Sequence, residues 1–277
     1  IEDELFTQLP DMAKKIINTD DPRNTNFYEN PDDPVEHAPD WHQFGIISHT
    51  KKFSEAYKTE AQDLMQEWGV KDMADKVLSE DIDGRSKDEL FRIAAILHDL
   101  GKFDRLFKVK DGKETNLPTH TGHEAKAADY ILNDEYVHNL LAHDYGLTED
   151  QIKYVAECTR LHYELGKIRK VAKKTEEGYT LAFSKTDKCK DACKEIADQF
   201  PNFKVEVGIL FMCDSMAKTD IVVKGETDEE IEAQSDDIKQ ILDQRGLNPK
   251  LIRAVLQRPV NNAMAKAYFK VLKESEV

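Results

Sequence analysis

Apolar residues recur along the chain at the three- and four-residue spacing of amphipathic helices, and strand-like alternation is scarce. Residues 2–18 read as a helix with Pro10 as a candidate break. Residues 20–40 (DDPRNTNFYENPDDPVEHAPD), rich in Pro, Asp and Asn, predict a long irregular segment. A long helix is predicted over about 42–68 and a shorter one near 70–79. Ser86 with Glu89 has capping-box spacing, and the apolar run from Phe91 to Leu97 carries the next helix to His98, with Gly101 ending it. Residues 103–121 predict a loop in which DGK at 111–113 is a candidate hairpin turn. Helices follow near 122–133 and 135–144, and Thr148 with Gln151 opens another that runs to about 165. GYTLAFS at 178–184 predicts a short strand, and helices near 187–199, 203–218, 227–244 and 260–274 complete the chain. The pattern is that of an all-α protein.

The polar residues that interrupt these apolar patterns carry the candidate chemistry. His98-Asp99 closes the apolar run in AAILHDLGK. His49 follows Phe44, Ile46 and Ile47; His123 opens a helix in TGHEAKAADYIL; His162 ends YVAECTRLH; Asp214 lies inside VGILFMCDSMA. A carboxylate in that last setting is destabilising unless paired with a charge or bound to a metal. One such residue is a satisfied core polar group, whereas several in one chain point to shared cations. A second His-Asp pair, His143-Asp144 in LLAHDYG, has no Gly-Lys after it and reads as structural. His37 and His138 read as structural or exposed.

The order His49, His98-Asp99, His123, His162, Asp214 resembles the H…HD…H…H…D pattern of the HD-domain metal-dependent phosphohydrolases. More narrowly, APDWHQFGIISHT, ILHDLGK, TGHEAKAA and the histidine of TRLH look like the HD domain of bacterial tRNA nucleotidyltransferases, over roughly residues 39–220. The Gly-Ser and paired-aspartate head of those transferases is not found in the sequence. The resemblance implies a helical HD bundle over 39–222, after an N-terminal helix and irregular segment (1–38) and before a C-terminal helical extension (223–277). It implies that His49, His98, Asp99 and Asp214 hold one divalent metal ion, and that Asp99 bridges to a second held by His123 and His162. Imidazoles and carboxylates leave manganese, iron, cobalt, nickel, zinc or magnesium open. Asp99 and Lys102 would be the catalytic residues, Lys102 acting beside the substrate phosphate. Lys102, His42 and His120 are the candidate substrate contacts, with packing for His42 and an ordinary loop position for His120 as alternatives. The implied function is hydrolysis of a nucleotide or nucleic-acid-end phosphomonoester or cyclic phosphodiester. A non-hydrolytic metal-binding regulatory or nucleotide-sensing module is the alternative.

Composition narrows the partners. With 54 acidic and 39 basic side chains the net charge is −15, which opposes binding of long duplex nucleic acid but not capture of a small phosphate ester or a nucleic-acid end. The basic run LGKIRKVAKK, with Lys167, Arg169, Lys170, Lys173 and Lys174, is a candidate steering patch or a solvated helix extension. The four cysteines show no CxxC pair and read as free thiols of a reducing compartment. No apolar run approaches the length of a membrane span. A cytoplasmic protein without membrane partners is expected.

Overall fold

The computed structural model describes residues 1–276. Among these, 67% are helical and 6% lie in strands, which makes the protein mostly all-α, as the apolar periodicity predicts. The helices are, in order, α1 (Glu2–Ile16), α2 (Thr25–Glu29), α3 (Ile46–Lys58), α4 (Glu60–Glu67), α5 (Lys71–Leu78), α6 (Lys87–Leu97), α7 (His123–Asn133) and α8 (Glu135–Asn139). They continue with α9 (Glu149–Arg160), α10 (Ile168–Ala172), α11 (Leu181–Ser184), α12 (Asp187–Gln199), α13 (Lys204–Met216), α14 (Asp228–Glu232), α15 (Ser235–Gln244) and α16 (Ile252–Ser275). Two small hairpins pair β1 (Asp81–Ile82) with β2 (Arg85–Ser86) and β3 (Leu106–Lys110) with β4 (Lys113–Thr119). No described helix is long and apolar enough to cross a membrane.

The helices form two compact units. The first comprises Ile1–His37, Phe44–Ser54 and Leu78–Leu161. Here α6 packs against α1 and α9, and α7 packs against α9 and the turn that follows α6. α1 runs unbroken through Pro10, because Leu5, Leu9, Met12 and Ala13 bury its inner face and that packing offsets the lost backbone bond. α3 starts at Ile46 and not at 42, for a reason that lies upstream. The carboxylate of Asp32, in the irregular segment, accepts hydrogen bonds from the backbone N–H (2.7 Å) and hydroxyl (2.5 Å) of Ser48 in its first turn. The predicted loop over 103–121 contains the β3–β4 hairpin, turned at Asp111 and Gly112, both with positive φ. Arg105 ties the irregular segment beneath it, donating to Asn24 Oδ1 (2.8 Å) and Glu36 Oε2 (2.5 Å).

The second unit comprises Ala38–Gln43, Glu55–Val77 and the chain from His162 onward. Every residue of α13 from Val205 to Met216 is buried, and α13 and α12 both pack on the long α16. GYTLAFS is not a strand: Leu181–Ser184 form a single helical turn. Its free N–H groups are capped by Thr180 Oγ1 and by the Asp228 carboxylate, which accepts from Leu181 (2.8 Å) and Ala182 (3.1 Å). That cap lies almost fifty residues away in the chain, out of reach of a local pattern. The four cysteines are free, as expected, and all four are buried.

Candidate metal centre

The first unit gathers its chemistry around one carboxylate. α6 is anchored by a buried run from Leu90 to Leu97, except for half-exposed Arg92, and its helical hydrogen bonding stops there. His98 keeps a helical backbone, whereas Asp99 (φ −104°, ψ 13°) leaves it. Two adjacent side chains on a continuing helix would diverge; at this helix end His98 Nε2 lies 3.2 Å from Asp99 Oδ2. α3 contributes His49, whose Nε2 is 3.3 Å from the same oxygen. α7 contributes its first residue, His123, whose Nε2 is 3.2 Å from the other oxygen, Oδ1. Lys102, one turn after Asp99, puts its Nζ 3.1 Å from Oδ2. His49, His98 and Asp99 are fully buried, and Lys102 is 5% exposed, so this ammonium does not face solvent.

The imidazoles are fixed by their far nitrogens. His98 Nδ1 lies 2.7 Å from the carbonyl oxygen of Ala95, and His123 Nδ1 lies 2.9 Å from that of His120. A carbonyl oxygen only accepts, so both Nδ1 atoms carry the proton and each Nε2 turns toward Asp99. Phe53 stacks on the His98 ring at 4.1 Å and limits its rotation. In the neutral tautomer these Nε2 atoms bear lone pairs, and lone pairs that converge on a carboxylate need a proton or a cation among them. This donor set fits a divalent metal: the ligand atoms offered by His49, His98 and Asp99 lie within 4.8 Å of one another, as do those of Asp99 and His123.

Burial alone would push the Asp99 carboxyl up. The imidazole of His98 and the ammonium of Lys102, with the His123 and His49 imidazoles beside it, outweigh it and hold the group well below the usual carboxylate range. Asp99 is therefore an anion across the physiological range, as a metal ligand must be. His120 lies in the turn before α7, with its ring 6.3 Å from that of His37. Neither of its ring nitrogens has a hydrogen-bond partner. Burial, with the Lys102 ammonium second, pushes the His120 imidazole down to about 3, so the ring is neutral.

His42, His162 and Asp214 belong to the second unit. His162 follows α9 and is 1% exposed; Asp214, on α13, is 6% exposed with Lys218 Nζ 3.9 Å from its Oδ2. His42 lies outside α3, and its Nδ1 is 3.4 Å from the Ala38 carbonyl oxygen. His143 is exposed, and His138 is tied to the Ile131 carbonyl oxygen and to Glu149. The basic run is not one patch: Arg169 donates to Gln257 (2.6 Å) and Asn261 (3.0 Å), and Lys167 pairs with Glu164.

His37 was not expected among these groups. It is fully buried, and its Nε2 lies 2.8 Å from Lys102 Nζ. It follows a Pro- and Asp-rich stretch with no periodicity, and its position depends on the tertiary tether made by Arg105, for which the local sequence carries no signal. No family model, no curated protein and no solved structure matches the chain, so the constellation around Asp99 rests on its own geometry.

Proposed function

We propose that the protein is a divalent-metal-dependent phosphohydrolase of the HD type, acting on a nucleotide or nucleic-acid-end phosphomonoester or cyclic phosphodiester. The observation that carries this reading is the division of labour at Asp99. One carboxylate oxygen faces His49 and His98, and the other faces His123. A carboxylate that offers its two oxygens to two sets of imidazoles is suited to bridge two cations. In this reading His49, His98 and Asp99 would hold one ion, and Asp99 with His123 would contribute to a second. A pair of divalent ions neutralises phosphoryl oxygens and supplies a nucleophile at neutral pH when bound.

The protein's own groups do the rest. Lys102, desolvated and directed by two acceptors, stabilises negative charge that grows on a phosphoryl oxygen. His120, neutral and with both ring nitrogens unengaged, is the substrate-side donor or acceptor. The Nδ1 tethers hold the ligand imidazoles in one tautomer, so their basicity is directed inward. The test is a hydrolysis screen of the metal-loaded protein against 5′-nucleotides, 2′,3′-cyclic nucleotides, RNA ends and bis(p-nitrophenyl) phosphate. Metal-dependent turnover of at least one of these supports the reading. Tight metal binding without turnover of any of them would replace it with a non-hydrolytic metal-binding module.

A further inference from the structure

We infer that His37 is a positioning residue for Lys102: it holds the ammonium in the direction from which it acts on substrate. The kinetic side of this inference rests on the hydrolytic reading above; the structural side does not.

Three contacts carry it. His37 Nδ1 lies 2.8 Å from the carbonyl oxygen of Phe44. A carbonyl cannot donate, so Nδ1 bears the proton and Nε2 bears a lone pair. That lone pair is 2.8 Å from Lys102 Nζ, which donates to it and also lies 3.1 Å from Asp99 Oδ2. A lysine side chain has four rotatable bonds and a spherical charge, so a carboxylate alone would leave its ammonium free to swing about a single contact. A second acceptor fixes a line. Two of the three N–H bonds are taken by Asp99 and His37, and the third has a defined direction.

The surroundings suit the role. His37 is fully buried, its ring meets that of His49 edge-on at 5.2 Å, and it lies 6.3 Å from the His120 ring. It therefore stands between a ligand histidine and the substrate-side histidine, with Lys102 at its tip. The segment that bears it is held from both sides. Glu36 accepts from Arg105, and the Phe44 carbonyl just ahead of α3 receives the His37 proton. A residue that only filled space here would not need a nitrogen at either position.

Two substitutions separate the roles of the ring nitrogens. His37→Asn places an amide near Nδ1, keeps a donor for Phe44 and removes the acceptor for Lys102. His37→Gln places an amide oxygen near Nε2 and keeps that acceptor. In long-range ¹H–¹⁵N spectra of the wild-type protein, His37 should appear protonated at Nδ1 only, and the Lys102 ammonium should give a resolved, slowly exchanging signal. That signal should vanish in His37→Asn and return in His37→Gln. On a substrate from the screen, His37→Asn should lower kcat by about 10–10²-fold, a part of what one lost electrostatic stabiliser removes, with KM and metal content little changed. His37→Gln should recover most of the rate. A proton on Nε2 of His37, or an ammonium signal indifferent to both substitutions, would overturn the inference. So would equal kinetic losses in the two variants. If the wild-type protein turns over no substrate, the hydrolytic reading fails and the spectra alone decide whether His37 holds Lys102.

Discussion

Gly101 lies against His123: a β-carbon at Gly101 would sit 2.0 Å from the carbonyl oxygen of His123 and 2.8 Å from the backbone nitrogen of Ala127. The glycine after His98-Asp99 therefore does more than follow the end of a helix. Its missing side chain lets the first turn of α7 rest directly on the turn after α6, which brings His123 Nε2 within 3.2 Å of Asp99 Oδ1.

This contact predicts the effect of Gly101→Ala. Both neighbours are backbone atoms, so no rotamer change relieves the overlap and α7 must shift. The substitution should destabilise the protein by about 1–3 kcal/mol, the range for overpacking, in urea unfolding. It should also weaken the metal site that includes His123 more than the one that includes His98. Wild-type stability with full metal occupancy would show that the two backbones separate freely.

The two His-Asp pairs of the sequence should respond oppositely. Asp99 is buried among three imidazoles and an ammonium, whereas His143 is exposed. Asp99→Ala should remove most bound metal and, with it, turnover; His143→Ala should leave both intact. Metal analysis and assays of the two variants check this, and like behaviour would place the centre elsewhere.

That distinction was legible in the sequence, because His98-Asp99 closes a long apolar pattern and is followed by Gly101-Lys102, whereas His143-Asp144 has no Gly-Lys after it. The helices around Asp99 were legible for the same reason: periodicity reports a buried face. What the sequence hid depends on distant partners. The start of α3 is set by Asp32, the helical turn at Leu181–Ser184 by Asp228, and the place of His37 by Arg105 acting on Glu36. None of these pairs has a local signature. Gly101 was visible as a helix stop, but its close approach to His123 belongs to packing.

Lys102 should be catalytic and not structural for the metals. Its Nζ contacts Asp99 and His37, and it offers no lone pair while charged. Lys102→Ala should lower kcat by about 10²–10³-fold, as loss of one electrostatic stabiliser does, and should retain bound metal. Steady-state kinetics with metal analysis separate the two effects; loss of metal would reassign Lys102 to support of Asp99.

The second unit has a testable alkaline limit. Tyr179 donates to Asn261 Oδ1 at 2.5 Å, and burial raises its phenol above the ordinary value of 10 despite the nearby Arg169. The unfolded chain then ionises Tyr179 first as pH rises, so the stability this group contributes is present below about pH 10 and declines above it. Tyr179→Phe should be less stable than wild type by about 1 kcal/mol near neutrality, from the lost hydrogen bond. The gap should narrow as pH climbs past about 10. Denaturant unfolding from neutral to alkaline pH measures the gap; a constant difference would contradict the assignment.

A carboxylate shared by two metal ions at Asp99 has a direct signature in metal stoichiometry. The purified protein, stripped with chelator and reloaded with manganese, should bind close to two ions per chain, and Asp99→Ala should bind close to none. Saturation at one ion in the wild-type protein would leave His123 without a metal to hold. An Asp99→Ala variant that still binds two would show that Asp99 holds neither.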